Sequence, residues 1–256
     1  MTYISNKDYQ LEVARGNVSG QSIFEKYGRN SDIDTATSPE DIWNSGGDYT
    51  GFPTGAAETM EISSSNVNDT AAGTGARTVT IYNLLDDTGA EMPDITVSLN
   101  GTAQVSLGAG LYYRGGTRIK VNTAGSSGGN EGEITLRHTA TTANIFAVMP
   151  INRNQTAIAA YTVPLGKTLY IKRIDVYMSR TTGASGSANI TIRVRVFGGV
   201  FNAIVSPEIT ESQGYKFENN GYLKLVERTD IKVRCEDVSD NNTVVTAEFS
   251  GILIDN

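Results

Sequence analysis

Short runs in which apolar and polar residues alternate, rich in Val, Ile, Thr and Tyr, recur along most of this chain, separated by clusters of Gly, Ser, Asn and Asp. A period of two sends successive side chains to opposite faces of a strand, and helical spacing is scarce, so the pattern predicts an all-β protein. In a first region, residues 54–150, the clearest strands are 78–82, 95–99, 118–121 and 133–136. Turn-forming residues at 87–89 and 100–101 and the glycine-rich stretch 125–132 divide them. Asn100-Gly101 favours positive φ at both central positions, which predicts a type I′ hairpin between the strand ending at Leu99 and one starting at Thr102.

A second region, residues 151–256, carries predicted strands at 157–163, 168–178, 190–197, 222–226, 231–236 and 244–254. Ile190, Ile192, Val194 and Val196 put one apolar face on their strand, with Thr191, Arg193 and Arg195 on the other, as a sheet with one side in a core requires. The same alternation places Cys235 in the core beside Ile231 and Val233. Along 168–178 the apolar parity switches from Leu169 and Ile171 to Ile174, Val176 and Met178, which predicts a bulge near Lys172. A similar switch, from Val245, Ala247 and Phe249 to Ile252 and Ile254, falls at Gly251.

The two regions share local similarity. Residues 78–82 align with 173–177, and 95–97 with 190–192, at one offset; 117–121 resembles 229–233 at a longer one. Read as a duplication, this gives two similar β-sandwiches in tandem, with a jelly roll favoured and an immunoglobulin-like arrangement as the alternative; read otherwise, it is the ordinary likeness of alternating sequences.

The composition fits a globular domain: 256 residues, 39% hydrophobic and 19% charged. A net charge of −7 argues against binding nucleic acid, which draws on clustered Lys and Arg. No apolar run is long enough for a membrane helix, and the first residues lack the basic and apolar segments of a secretion signal. The single cysteine rules out an intrachain disulfide, which suits folding in a cytoplasm.

Candidate chemistry is thin. His138 is the one histidine, so multi-histidine metal sites are excluded and one candidate base remains, on the polar side of its strand. Cys235 would need an exposed, electropositive setting to act as a nucleophile, and alternation buries it. Asp86, Asp87, Glu131, Glu133, Glu236, Asp237 and Asp240 lie beside loops, where a pair of carboxylates could serve glycoside hydrolysis or simply stay solvated. A calcium loop at 236–242 lacks the EF-hand spacing, and the 125–132 glycines lack the GK[ST] of a phosphate loop. Tyr112, Tyr113, Tyr170, Tyr177, Tyr215 and Tyr222 are candidates for stacking on sugar rings, as well as for strand faces and interfaces. No catalytic residue, cofactor or metal site is assigned, and the chain is expected not to be an enzyme.

Residues 1–53 differ from the rest and hold the only tryptophan. Ser38 as N-cap, Pro39 at the first helical position and Glu40 and Asp41 in the first turn predict a single helical turn that Asn44, Gly46 and Gly47 end. It would present Ile42 and Trp43, followed by an extended piece with Tyr49, Phe52 and Pro53. So short a segment must lay these side chains on something else, either its own first sandwich or a neighbouring subunit. In the second case these five residues are the interface, on an N-terminal docking arm.

The residues Gly28-Arg29-Asn30, Asp32-Ile33-Asp34-Thr35-Ala36-Thr37, Pro39-Glu40-Asp41-Ile42-Trp43, Gly46-Gly47 and Tyr49 resemble the N-terminal motif of a family of structural proteins of tailed bacteriophages. That resemblance covers about the first fifty-five residues and supplies no catalytic residues. It implies a virion component made in the host cytoplasm, with jelly-roll-like domains used for capsid decoration, adaptor contacts or fibres. The expected role is a capsid decoration or cement protein, with the major capsid protein or other virion proteins as partners and a homo-oligomer, a trimer among the candidates, as its state. The alternative is a tail, neck or fibre component that binds host-surface glycan.

Overall fold

The computed structural model describes residues 8–54, 58–108, 115–180, 186–211 and 214–256. A short helix, α1 (Tyr9–Ala14), is capped by Asp8, whose carboxylate accepts from the backbone N–H groups of Gln10 and Leu11. Two strands follow, β1 (Gln21–Ile33) and β2 (Glu40–Asp41). Next come β3 (Met60–Ser64), β4 (Ala76–Tyr82), β5 (Ile95–Ser98), β6 (Val105–Ser106), β7 (Arg118–Ala124), β8 (Ile134–His138) and β9 (Ile145–Met149). The remainder is β10 (Ala160–Thr162), β11 (Lys167–Arg180), β12 (Ser187–Val196), β13 (Asn202–Val205), β14 (Glu208–Thr210), β15 (Tyr215–Leu225), β16 (Thr229–Val238) and β17 (Thr243–Asp255).

The protein is all-β, built from small antiparallel sheets set in a propeller-like ring. The first sheet runs β1-β17-β11-β15 and the second β10-β16-β12-β13, with β14 also on β12 and β2 on β16. The third runs β6-β3-β8-β9 and the fourth β5-β4-β7. Core side chains group in pairs of sheets. Phe24, Ile171, Val176 and Phe249 of the first sheet meet Ile190, Ile192, Val233 and Cys235 of the second in one apolar cluster. Met60, Ile62, Leu136 and Phe146 of the third meet Val79, Ile81 and Ile119 of the fourth in another.

This arrangement changes the expected order along the chain. The first and second sheets draw strands from both ends of the sequence, β1 and β2 before residue 58 and β10 to β17 after residue 156, so the third and fourth sheets form an insertion rather than the first of two tandem units. Nor is 1–53 a separate arm from Tyr9 onward. β1 pairs with β17 from Gln21↔Ile254 to Ile33↔Thr243, and Phe24 and Ile33 sit in the first core.

Other expectations divide. Both neighbours of β11 shift register between Ile171 and Arg173, which places the bulge at Lys172 and keeps Leu169, Ile171, Ile174, Val176 and Met178 all in the core. The switch at Gly251 does not occur: Leu253 continues the inward series of Val245, Ala247 and Phe249. Gly251 serves a different need, because a Cβ there would lie 2.1 Å from Tyr170 O. The turn near Asn100 is offset by one residue. Asn100 bridges Ala103, so the central pair is Gly101-Thr102, and only Gly101 has positive φ (61°). That turn does not join paired strands either, since β5 lies on β4 and β6 on β3. The aligned segments occupy unlike places: β4 neighbours both β5 and β7, whereas β11 lies in a different sheet from β12 and β16. Their likeness is that of alternating strands in general.

Candidate functional site

The motif residues at 28–49 form a clasp. Instead of the expected helical turn, Glu40–Asp41 is a strand, β2, paired to Cys235 and Arg234 of β16, with the Ser38–Pro39 peptide bond cis. Backbone bonds extend the pairing: Ile42 N–H donates to Val233 O (3.0 Å), and Ile42 O accepts from Ala159 N–H (2.8 Å). Trp43 then bridges Ile158. Strand pairing won over the helix-start signal because Asp41, aimed inward, finds cations there. Its carboxylate accepts from Lys232 Nζ (2.7 Å) and the Tyr49 backbone N–H (2.7 Å) and faces Arg234 at 3.4 Å. Burial nonetheless holds Asp41's pKa above the usual carboxylate range, against the opposing pull of Lys232.

Each part of the motif has a local task. Glu40 accepts from Asn30 Nδ2 (2.7 Å) and from Gly47 N–H (2.8 Å), so it ties β1 to the loop. Gly46 and Gly47 adopt positive φ (67° and 63°), which returns the chain so that Gly47 O accepts from Asp41 N–H and Trp43 Nε1. At Gly28 a Cβ would stand 2.1 Å from Ala159 N and 2.4 Å from Ile42 O; only glycine lets β1 and the clasp approach so closely. Asp34 and Thr35 bind the backbone of Asn242 and the side chain of Asn241.

Ile42 and Trp43, adjacent in sequence, enter opposite cores. Ile42 joins the first cluster at 1% exposure, while Trp43 at 4% joins the second together with Tyr49 and Phe52 at 3% each. An aromatic series runs edge to face from Trp43 to Tyr49 (5.1 Å) and from Tyr49 to Phe52 (5.1 Å), then to the tilted ring of Phe201 (5.2 Å), over which Arg195 and Lys232 lie. Pro53 is buried too. The five side chains proposed as docking anchors, Ile42, Trp43, Tyr49, Phe52 and Pro53, are thus covered by their own chain and are unavailable as docking anchors in the folded protein.

Several of the remaining candidates have structural partners. His138 Nδ1 accepts from the backbone N–H groups of Ala140 (3.1 Å) and Thr141 (2.7 Å), closing the turn after β8. Cys235 is fully buried and donates to Asp237 O, and burial together with nearby carboxylates pushes its thiol up to about 12. A disulfide exchange reagent at pH 8 should therefore leave the folded chain unmodified and label one thiol per chain after denaturation; rapid labelling of native protein would contradict this placement. Around 236–242, Glu236 pairs with Arg193 (2.6 Å), Asp237 accepts from Asn189 (2.7 Å) and Asn241 holds Thr35. Asp86 closes its own turn by accepting from Thr88 and Ala90, and Glu131 accepts from Asn68 and Thr74. Among the described residues no group of three His, Cys, Asp or Glu is placed to hold a metal.

Of the tyrosines, Tyr170 and Tyr222 stack edge to face at 6.3 Å on the first sheet, with Lys224 Nζ 6.0 Å from the Tyr170 ring, and Tyr177 is exposed farther along β11. Tyr215 packs toward the first core. Tyr112 and Tyr113 lie outside the described residues.

Sequence reasoning missed Lys26. It lies on β1 with its ammonium buried, donating to Gly116 O, and the burial, reinforced by Arg118, lowers its pKa from 10.5 to about 7. Only the charged residue within the inward series Phe24, Lys26, Gly28, Asn30 signals it. Because the folded pKa lies below the unfolded one, the unfolded chain binds the extra proton between pH 7 and 10.5. Stability should therefore rise with pH across that interval, and the full cost is felt below pH 7. A shift of this size corresponds to roughly 5 kcal/mol. Lys26→Met should raise stability at pH 6 by about 2–4 kcal/mol, less than the whole because Gly116 O loses its donor, and should flatten the pH slope. Chemical denaturation of both proteins at pH 6 and 9 measures it, and equal slopes would contradict it.

No family model matches the chain, and no curated protein matches its sequence. Among solved structures it is similar to a chain of the T13 IBDV viral particle, with 10% identity and a TM-score of 0.25 over 92% of this chain and 70% of that one. It is also similar to the VP2 subviral particle of infectious bursal disease virus (8%, 0.22, 93% and 73%). A third similarity is to the PBSX exported protein XepA (6%, 0.20, 91% and 84%). TM-scores of this size bear on neither fold nor role.

Proposed function

We propose that this chain is a structural protein of a virion, and more narrowly a capsid decoration or cement protein of a tailed-phage head, which acts by burying surface shared with its neighbours rather than by catalysis. The observation that carries the reading is the strand pairing of the first two sheets. Taking β1, β10, β11, β12, β13, β15, β16 and β17 as strands one to eight, the pairs are one with eight, two with seven, three with six and four with five. Successive pairs alternate between the two sheets, in the orders 1-8-3-6 and 2-7-4-5. That order is the one expected of a long hairpin wound into a double sheet, and it supports reading these two sheets as a jelly roll, an architecture common in viral capsids and lectins. The third and fourth sheets are read as a second sandwich inserted after β2.

Fold alone does not assign a role. What supports a narrower reading is the N-terminal motif, with its resemblance to tailed-phage structural proteins, together with the structural partners of His138 and Cys235, the two strongest candidates for a base and a nucleophile. Assembly then requires an interface of roughly 1,600 Å² per contact. Mass measurement of the full chain at micromolar concentration should give a closed homo-oligomer, with a trimer favouring a decoration role; a monomer at every concentration would count against it. The Tyr170–Tyr222 pair, with Tyr222 exposed and Tyr170 half-buried, supports the second reading, a tail, neck or fibre component that binds glycan. A glycan array probed with the full chain tests that alternative, and a blank array would remove it.

A further inference from the structure

A cleft of about 400 Å³ is lined by Lys26 and Tyr27 of β1, by Tyr82, Arg118 and Lys120 of the fourth sheet, and by Tyr161 of β10. Its lining carries three cations, Lys26, Arg118 and Lys120, against two carboxylates, Glu25 and Glu91. Lys26 is 7% exposed, and its hydrogen-bond acceptor among the described residues is a neutral carbonyl, Gly116 O. Arg118 donates through Nη2 to Gln155 Oε1 (2.5 Å), another neutral acceptor, and its Nε is buried without a hydrogen-bond partner among the described residues. Of the two acids, Glu25 is exposed to solvent on β1 and Glu91 is ion-paired with Lys167 at 3.2 Å. Gly116 is fixed in place: it has φ of 72°, and a Cβ there would fall 2.1 Å from Ala160 O.

Two neighbouring cations beside a cavity, each hydrogen-bonded to a neutral group, are costly as they stand, because a buried charge is tolerated when a counter-charge meets it. We propose that the cleft is a binding site for a small molecule bearing an oxyanion, carboxylate or phosphate, held between Lys26 and Arg118. The oxyanion supplies the missing acceptors: one oxygen takes the Lys26 ammonium, and the planar guanidinium of Arg118 meets the other oxygens. The surrounding rings of Tyr27, Tyr82 and Tyr161 give the rest of the molecule apolar and hydrogen-bonding walls, as small-ligand sites commonly do. The volume exceeds that of a bare anion, so the oxyanion is expected to belong to a larger unit such as an acidic sugar or a sugar phosphate. This site is independent of the assembly reading and would stand if that reading failed.

Calorimetric titration of the full chain at pH 6, where Lys26 carries its proton, and at low ionic strength tests it, with inorganic phosphate, glucuronate and glucose as the three probes. Phosphate or glucuronate should bind saturably with a Kd below about 1 mM while glucose does not. Tighter binding of glucuronate assigns the oxyanion to a carboxylate, and tighter binding of phosphate to a phosphoryl group. Lys26→Met, which is expected to fold more stably than the native protein, and Arg118→Gln should each raise the Kd more than about tenfold, whereas Lys172→Gln, at the exposed bulge, should leave it unchanged. No saturable binding of either anion, binding of glucose as tight as that of glucuronate, or an unchanged Kd in either cleft variant would overturn the proposal.

Discussion

A chain lacking residues 1–53 is expected not to fold. The deletion removes β1, which covers one edge of β17 along ten paired residues from Gln21 to Asn30, and with it the strand that the clasp adds to β16. It also removes Phe24, Ile33, Ile42, Trp43, Tyr49 and Phe52, each at most 7% exposed and divided between the two cores. At about 1.5–3 kcal/mol per large apolar side chain, their loss amounts to roughly 9–18 kcal/mol, as large as the 5–15 kcal/mol that holds a typical domain together. Lys232 would in addition lose its carboxylate partner inside the protein. A detachable docking arm predicts the opposite, intact β-regions that merely fail to associate. Circular dichroism melting separates the two: the truncated chain should show no cooperative transition, and a native-like transition would show that the clasp is dispensable.

Trp43→Ala is expected to cost about 3–5 kcal/mol of stability, from the cavity left in the second core and the loss of edge-to-face contact with Tyr49. The backbone bridge to Ile158 does not depend on the side chain, so the fold should persist at low temperature. The loss should appear in two ways: a lower midpoint in urea, and faster hydrogen exchange at Tyr49 N–H, which the clasp holds on Asp41. If Trp43 were instead a surface anchor, the substitution would change stability by less than about 0.5 kcal/mol and alter association alone.

About half of the strands were legible in the sequence because period-two alternation is set locally: Ile190, Ile192, Ile231, Val233 and Cys235 lie where alternation puts them, and the parity change near Lys172 marks a real bulge, whereas β1, β3 and β9 went unread and Val196 at the end of β12 is exposed. Partners were not legible. Nothing local tells β1 that it will lie on β17, more than two hundred residues away, so a segment of the first sheet read as an arm. At Pro39–Trp43 a good helix start was overridden by tertiary pairing, since Asp41 is satisfied by Lys232 and Arg234, which no window around it contains. The motif itself was visible as a string, but its glycines and Glu40 proved to be parts of a fastening between two cores. The cleft was invisible for the same reason, since Lys26, Arg118 and Tyr161 come from three distant stretches.

The most direct test of the assembly account is a cryo-EM map, with protein mass analysis, of native particles from cells that make this chain. The account predicts the chain in purified particles, at symmetric positions on the head, with density for both pairs of sheets and with Trp43 enclosed within each copy. Particles that lack the chain, or that carry it at no symmetric position, would contradict it.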